Sequence, residues 1–206
     1  FSFDGLAAGE QVEVRMGISY VSTENARKNL DAEQAADAPF DAIREQARKG
    51  WNEALGRIRV EGGAEQQQRV FYTALYHALL HPNLVSDVNG EYPLMERSGE
   101  TGMTDGERYT VFSLWDTYRN LHQLMTLVYP ERQLEMVRSM IGMYKEWGWL
   151  PKWELYGRET FTMEGDPAIP VIVDTWMKGL RDFDMDAAYE AMRKSATTPG
   201  AQNRMR

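Results

Sequence analysis

The chain has 206 residues, of which 43% are hydrophobic and 26% charged, so it can bury a sizeable core as one large domain or two small ones. A formal charge of −8 argues against nucleic acid or an anionic membrane surface as its main partner and favours neutral or cationic ligands. There is no cysteine for a disulfide framework, and no apolar run of the roughly 18 residues needed to span a bilayer.

Residues 11–21 alternate apolar and polar, with Val12, Val14, Met16, Ile18 and Tyr20 on one side, the pattern of a half-buried strand. A lone strand is unstable, so this one needs partners that the following helical sequence does not offer. Ser22 and Thr23 predict the start of a short helix running through Leu30. Asp37 and Pro39 open a longer one whose stripe is Phe40, Ile43, Ala47, Trp51, Leu55 and Ile58, with Gly62 and Gly63 as its stop.

The next helix is predicted over 64–81, ending at Pro82, with Val70, Phe71, Ala74, Leu75, Ala78 and Leu79 facing the core. His77 and His81 stand four apart on it and could share a metal, but no glutamate follows His77 and no third ligand is evident. Between Leu84 and Thr110 the helical period breaks at Asn89–Gly90, Pro93, Gly99, Gly102 and Gly106, which predicts turns and short strands.

That excursion leads into YTVFSLWDTYRNLHQLMTLVYP, residues 109–130. Ser113 with Asp116 three residues later predicts a helix start, the hydroxyl as cap and the carboxylate in the positive first turn. Leu114, Tyr118, Leu121, Met125 and Val128 form one face of a helix over 113–128, whereas Asp116, Arg119, Asn120 and Gln123 share another. From local sequence alone, Asp116 reads first as a capping-box acid.

Pro130 or Glu131 begins a further helix ending near Gly148, with Leu134, Val137, Ile141 and Tyr144 inward. Trp147, Trp149 and Trp153 follow closely and, with Trp115, offer either core packing or flat faces for sugar C–H groups. Residues 150–166 read as a carboxylate-rich loop in which Glu154 and Glu159 could be a catalytic pair, contact substrate, or pair with Lys152 and Arg158. Asp166 and Pro167 start a helix that buries Ile169, Val173, Trp176, Met177 and Leu180, and a last helix runs over 186–195. The sum is a mainly α chain of antiparallel helix pairs with one N-terminal β segment.

WDTYRN after YTVFS, together with FYTALYHALLHPN, LVYPERQLEMVRSMIGMYKEWGWLPKWELYGRET and PAIPVIVDTWMKGL, resembles glycoside hydrolase family 92, the calcium-dependent exo-α-mannosidases, over most of residues 11–182. The resemblance implies a partial (α/α)6 toroid. Residues 1–22 would be the last strand of an N-terminal β-sandwich, 23–38 a linker helix, and 39–206 the first half of the toroid. It implies calcium as cofactor, a mannose-containing glycan as partner, a secreted or periplasmic location, and Asp116 as a mannose ligand. Trp115, Arg119, Trp153 and Glu154 would join Asp116 in the sugar pocket, with the acid, the base and most calcium ligands beyond Arg206. Phosphate-linked mannose is an alternative substrate. The rival readings are a non-catalytic carbohydrate-binding or structural helical module, and a different toroid enzyme such as a polysaccharide lyase, for which His122 near Arg119 is the one hint.

Overall fold

The computed structural model describes residues 5–198. The predicted strand over 11–21 does not form: the segment is irregular and pairs with no strand among the described residues. Its side chains alternate as expected, yet the apolar set faces outward, with Val14 70%, Met16 72% and Ile18 66% exposed. The pattern is that of a strand, but a strand exists only through its ladder, and no described residue supplies one.

Helix α1 (Thr23–Glu33) starts where predicted and runs three residues longer, and the Ser22 hydroxyl accepts from the Asn25 amide at 3.0 Å. A buried polar knot ties α1 to the excursion. The amides of Asn25 and Asn29 and the hydroxyl of Ser19 all donate to the Asp87 carboxylate, at 2.9, 2.7 and 2.7 Å. Helix α2 (Phe40–Leu55) ends at Gly56, short of the two glycines expected to stop it, and α3 (Glu65–Ala78) ends before Leu79. Leu75, Leu79, Met125 and Tyr129 form the buried centre of a small core against which Trp51, Leu55, Ile58 and Phe71 pack. Val70, expected in that core, is 63% exposed.

The excursion holds strands β1 (Asn83–Leu84), β2 (Glu91–Pro93), β3 (Thr101–Met103) and β4 (Tyr109–Thr110), with β2 pairing β3 and β1 pairing β4, both antiparallel. Strand β5 (Phe112–Ser113) follows after Val111, which sits at φ 63°, a left-handed turn that a β-branched residue seldom adopts. The single helix predicted over 113–128 is two: α4 (Leu114–Thr117) and α5 (Leu121–Val128). The chain leaves helical geometry at Asn120 (φ −155°), and the Gln123 side chain donates to the Tyr118 carbonyl at 2.9 Å, satisfying an acceptor freed by the break.

Helix α6 (Pro130–Trp147) matches its prediction at both ends, with Pro130 in the first turn and Gly148 closing it at φ 94°. It is the hub of the larger core. Met136, Val137, Met140, Ile141 and Met143 pack with Leu114 of α4, Val171 and Ile172 of α7 (Ala168–Met177), and Ala188 and Ala191 of α8 (Met185–Thr197). On α7 the expected inward face is only partly covered: Ile169, Trp176 and Leu180 are half-buried, but Val173 is 42% and Met177 74% exposed, and the fully buried side is Val171, Ile172 and Thr175. The predicted carboxylate loop contains a hairpin, β6 (Trp153–Leu155) and β7 (Arg158–Glu159), joined to β5 in a three-stranded sheet. No described helix is long and apolar enough to cross a membrane.

Candidate functional site

The antiparallel β5–β6 pairing sets Phe112 opposite Glu154 and Ser113 opposite Trp153, and the Leu114 amide donates to the Lys152 carbonyl at 3.2 Å. The WDTYR turn and the tryptophan of the hairpin, about forty residues apart in sequence, are thereby placed side by side. Leu114 is the anchor, fully buried in the core, and α4 carries Trp115 and Asp116 outward from it.

Ser113 does not cap α4 through a backbone amide, as the spacing suggested; its hydroxyl donates instead to one carboxylate oxygen of Asp116. Asp116 is exposed. The Arg119 guanidinium lies 4.3 Å from the centroid of the Trp115 ring and 5.4 Å from that of Tyr118, and its Nε donates to the Trp115 carbonyl at 3.3 Å. This cation–π stack orients a planar set of donors beside an acceptor carboxylate. Trp115, Asp116 and Arg119 thus stand together on one exposed turn, with half-buried Trp153 across the ladder from its base.

Glu154 is brought to the same place but from behind. It is fully buried, and both oxygens are engaged: Oε1 accepts from the Thr110 hydroxyl at 2.7 Å and the Gly157 amide at 2.6 Å, Oε2 from the Val111 amide at 3.0 Å. Burial pushes its carboxyl above the usual carboxylate range, against the lowering effect of these donors. Glu154 holds both the left-handed turn at Val111 and the β6–β7 turn. Glu159, its cross-strand partner, is also buried and accepts from the amides of Lys152, Trp153 and Phe161 at 2.7, 3.0 and 3.0 Å. Both carboxylates are buried and each oxygen already accepts from a backbone amide or the Thr110 hydroxyl, so in this structure neither is open to a water and the pair is not arranged as the acid and base of an inverting site.

His122 is buried beneath α4. Its Nε2 lies 3.0 Å from the Thr117 hydroxyl and its Nδ1 3.0 Å from the Gln133 side-chain oxygen. Burial pushes its pKa down to about 4, partly offset by the hydrogen bond to Gln133. With both nitrogens occupied and no exposure, this histidine cannot serve as the base of a lyase. Sequence reasoning missed Thr117 and Gln133 as its partners, and Thr175, 42 residues further along the chain, as the next partner of Gln133.

The remaining tryptophans serve packing: Trp147 meets Phe161 edge-on at 6.2 Å, and the Lys194 ammonium sits 4.5 Å from the Trp149 ring. His77 and His81 are exposed, with His81 Nδ1 3.1 Å from the Asn83 side chain. No group of three or more histidine, aspartate or glutamate side chains among the described residues could hold a metal. The donor set therefore does not fit calcium within residues 5–198. A cleft of about 470 Å³ lies elsewhere, between the β3–β4 segment and α6, and shares no residue with the WDTYR turn.

The model of the glycosyl hydrolase family 92 catalytic domain matches residues 25–206. A family GH92 α-mannosidase from Bacteroides thetaiotaomicron superposes with a TM-score of 0.81 at 35% identity, over 87% of this chain and 24% of that one. The same enzyme in complex with mannoimidazole gives 0.83 at 34% identity, over 89% and 24%. A family GH92 inverting mannosidase from that organism gives 0.77 at 37% identity, over 85% and 24%. A fungal protein described as an uncharacterized secreted glycosidase, from Arthroderma benhamiae, is 28% identical over 190 residues, 90% of this chain and 20% of its own length. The chain spans about a quarter of the length of the solved relatives it matches. On the family match, supported by these structures, the chain belongs to glycosyl hydrolase family 92 and forms part of its catalytic domain.

Proposed function

We propose that the complete protein is an inverting exo-α-mannosidase acting on mannose-containing glycans, and that this chain supplies one wall of its sugar site and the first half of an (α/α)6 toroid. One observation carries the reading. The exposed WDTYR turn presents an aromatic face, a stacked guanidinium and a carboxylate with one oxygen engaged by Ser113, above a core whose nearby acids, Glu154 and Glu159, are buried and hydrogen-bonded. Such a face suits a neutral polyhydroxylated ring: the Asp116 carboxylate accepts from sugar hydroxyls, Arg119 donates to sugar oxygens, and Trp115 and Trp153 cover C–H faces. Glu154 supports this wall by fixing the strands behind it. The solved relatives named as an α-mannosidase, a mannoimidazole complex and an inverting mannosidase agree with this substrate class.

The general acid, the water-activating base and the ligands of any calcium ion come, in this reading, from residues beyond Arg206. In this reading the segment of residues 1–22, of which 1–4 lie outside the described residues, belongs to a sheet of the N-terminal β-sandwich, 23–38 link it to the toroid, and the protein is secreted or periplasmic. The test is to incubate the full-length protein with an α-mannoside and follow the first-formed anomer of mannose by proton NMR. Initial β-mannose is expected. Initial α-mannose, or no mannose released, overturns the reading.

A further inference from the structure

A chain of four buried or half-buried polar side chains runs from α4 to α7 through the core. Thr117 Oγ1 meets His122 Nε2 at 3.0 Å, His122 Nδ1 meets Gln133 Oε1 at 3.0 Å, and Gln133 Nε2 donates to Thr175 Oγ1 at 2.9 Å. Thr175 Oγ1 in turn donates to the Val171 carbonyl at 2.7 Å. His122, Gln133 and Thr175 are each no more than 1% exposed.

The direction of every proton follows from the far end. A carbonyl only accepts, so the one hydroxyl proton of Thr175 goes to Val171, and Thr175 must accept from Gln133. The Gln133 amide nitrogen is thus committed to Thr175, and its oxygen faces His122. Nδ1 then carries the imidazole hydrogen, Nε2 is an acceptor, and Thr117 must donate to it. Each link in this chain then pairs one donor with one acceptor, and reversing any link leaves two donors or two acceptors face to face.

Thr117 is the last residue of the four-residue helix that carries Trp115 and Asp116, a helix too short to hold its own geometry. Leu114 anchors its first residue and His122 its last. We infer that His122 is a positioning residue for the sugar-binding turn, held as the Nδ1–H tautomer by Gln133 and Thr175 so that Thr117 fixes the aim of Asp116 and Trp115. The inference rests on the proposed α-mannosidase reading, because it assigns a purpose to that turn. It assigns no contact with substrate to any of the four.

The experiment uses the full-length protein and a variant at the far end of the relay. Thr175→Val keeps the shape of the side chain but removes the hydroxyl that orders Gln133, on α7 and three links from Thr117. The expected result is a loss of roughly tenfold in kcat/KM for an α-mannoside at a temperature well below the melting transition, with Thr175→Ser restoring it to within about twofold. A purely structural role predicts a lowered melting temperature with unchanged kinetics, and that outcome overturns the inference. A Thr175→Ser protein as impaired as Thr175→Val overturns it too. Imidazole 15N–1H correlation spectra of the wild type, with His122→Asn to identify the resonances, must show Nδ1 protonated; a protonated Nε2 at neutral pH overturns the relay whether or not any variant folds. Should the wild type release no mannose, the functional reading falls by itself, and the tautomer decides whether the relay exists.

Discussion

Replacing His122 with glutamine removes a link between pH and stability that its burial creates. Burial holds the folded pKa at about 4 against an ordinary value of 6.5. Below pH 6.5 the unfolded chain takes up a proton that the folded chain refuses, so the contribution is fully present above pH 6.5 and is lost as pH falls toward 4. The gap from 6.5 to about 4, at about 1.4 kcal/mol per pH unit, amounts to roughly 3 kcal/mol at the acid end. About 2 kcal/mol of it is gone by pH 5, a sizeable share of the ~5–15 kcal/mol typical of a domain. Urea unfolding of wild type and His122→Gln, followed by tryptophan fluorescence at pH 7.5 and 5.0, isolates the effect, since exposed His77 and His81 are common to both and cancel. The stability difference between the two proteins should shift by about 2 kcal/mol in favour of the variant on acidification. A difference that does not change with pH would show that the ring is not held neutral by burial.

Two further substitutions test the packing behind the site. A Cβ at position 142 would overlap the Arg108 guanidinium, which pairs with Glu146 at 2.8 Å and is nearly buried. Gly142→Ala gains about 1 kcal/mol of helix propensity but disrupts a buried pair worth ~3–5 kcal/mol when broken, so a net loss of roughly 2–4 kcal/mol is expected in chemical unfolding. A stabilised variant would mean that the guanidinium has room to move. Glu154→Gln must aim an amide nitrogen at one of three donors, with an expected loss of about 1–3 kcal/mol near neutral pH. Because burial raises the folded pKa of Glu154, its protonated form is favoured on folding, and wild type should gain stability relative to the variant as pH falls toward the ordinary carboxylate range. The opposite trend would place the carboxylate in a polar, open setting.

Helix ends governed by local chemistry were legible in the sequence: Ser22 before α1, Pro130 at the start of α6 and Gly148 after it all do what their residue types require. The face of α7 was not, because Ile172 and Val173, Val171 and Met177 are apolar on both sides, and only the neighbouring helices decide which side is covered. The break at Asn120 escaped notice because the apolar spacing continues through it from Tyr118 to Leu121. Residues 11–21 carry the alternation of a strand, but no described residue provides its ladder.

The site divides in the same way. Trp115, Asp116 and Arg119 lie within one turn, so spacing alone could group them, and the hairpin adds Trp153 by pairing it with Ser113. Glu154 looked like an exposed acid in a polar loop. Its true setting depends on Thr110 and Val111, more than forty residues earlier in the chain. His122 is tied the same way: its own partners Thr117 and Gln133 are near in sequence, but Gln133 reaches on to Thr175, 42 residues further along the chain.

Asp116 is the residue on which sugar binding by this turn depends most. In the full-length protein, Asp116→Asn keeps an oxygen for the Ser113 hydroxyl but removes the charge that accepts strongly from sugar hydroxyls. With kcat and KM for an α-mannoside measured beside the melting temperature at matched calcium, activity should fall by a factor on the order of 10² or more, in turnover as well as affinity, while the melting temperature stays close to wild type. Near-normal turnover would contradict the account and leave Asp116 as a helix-start residue alone.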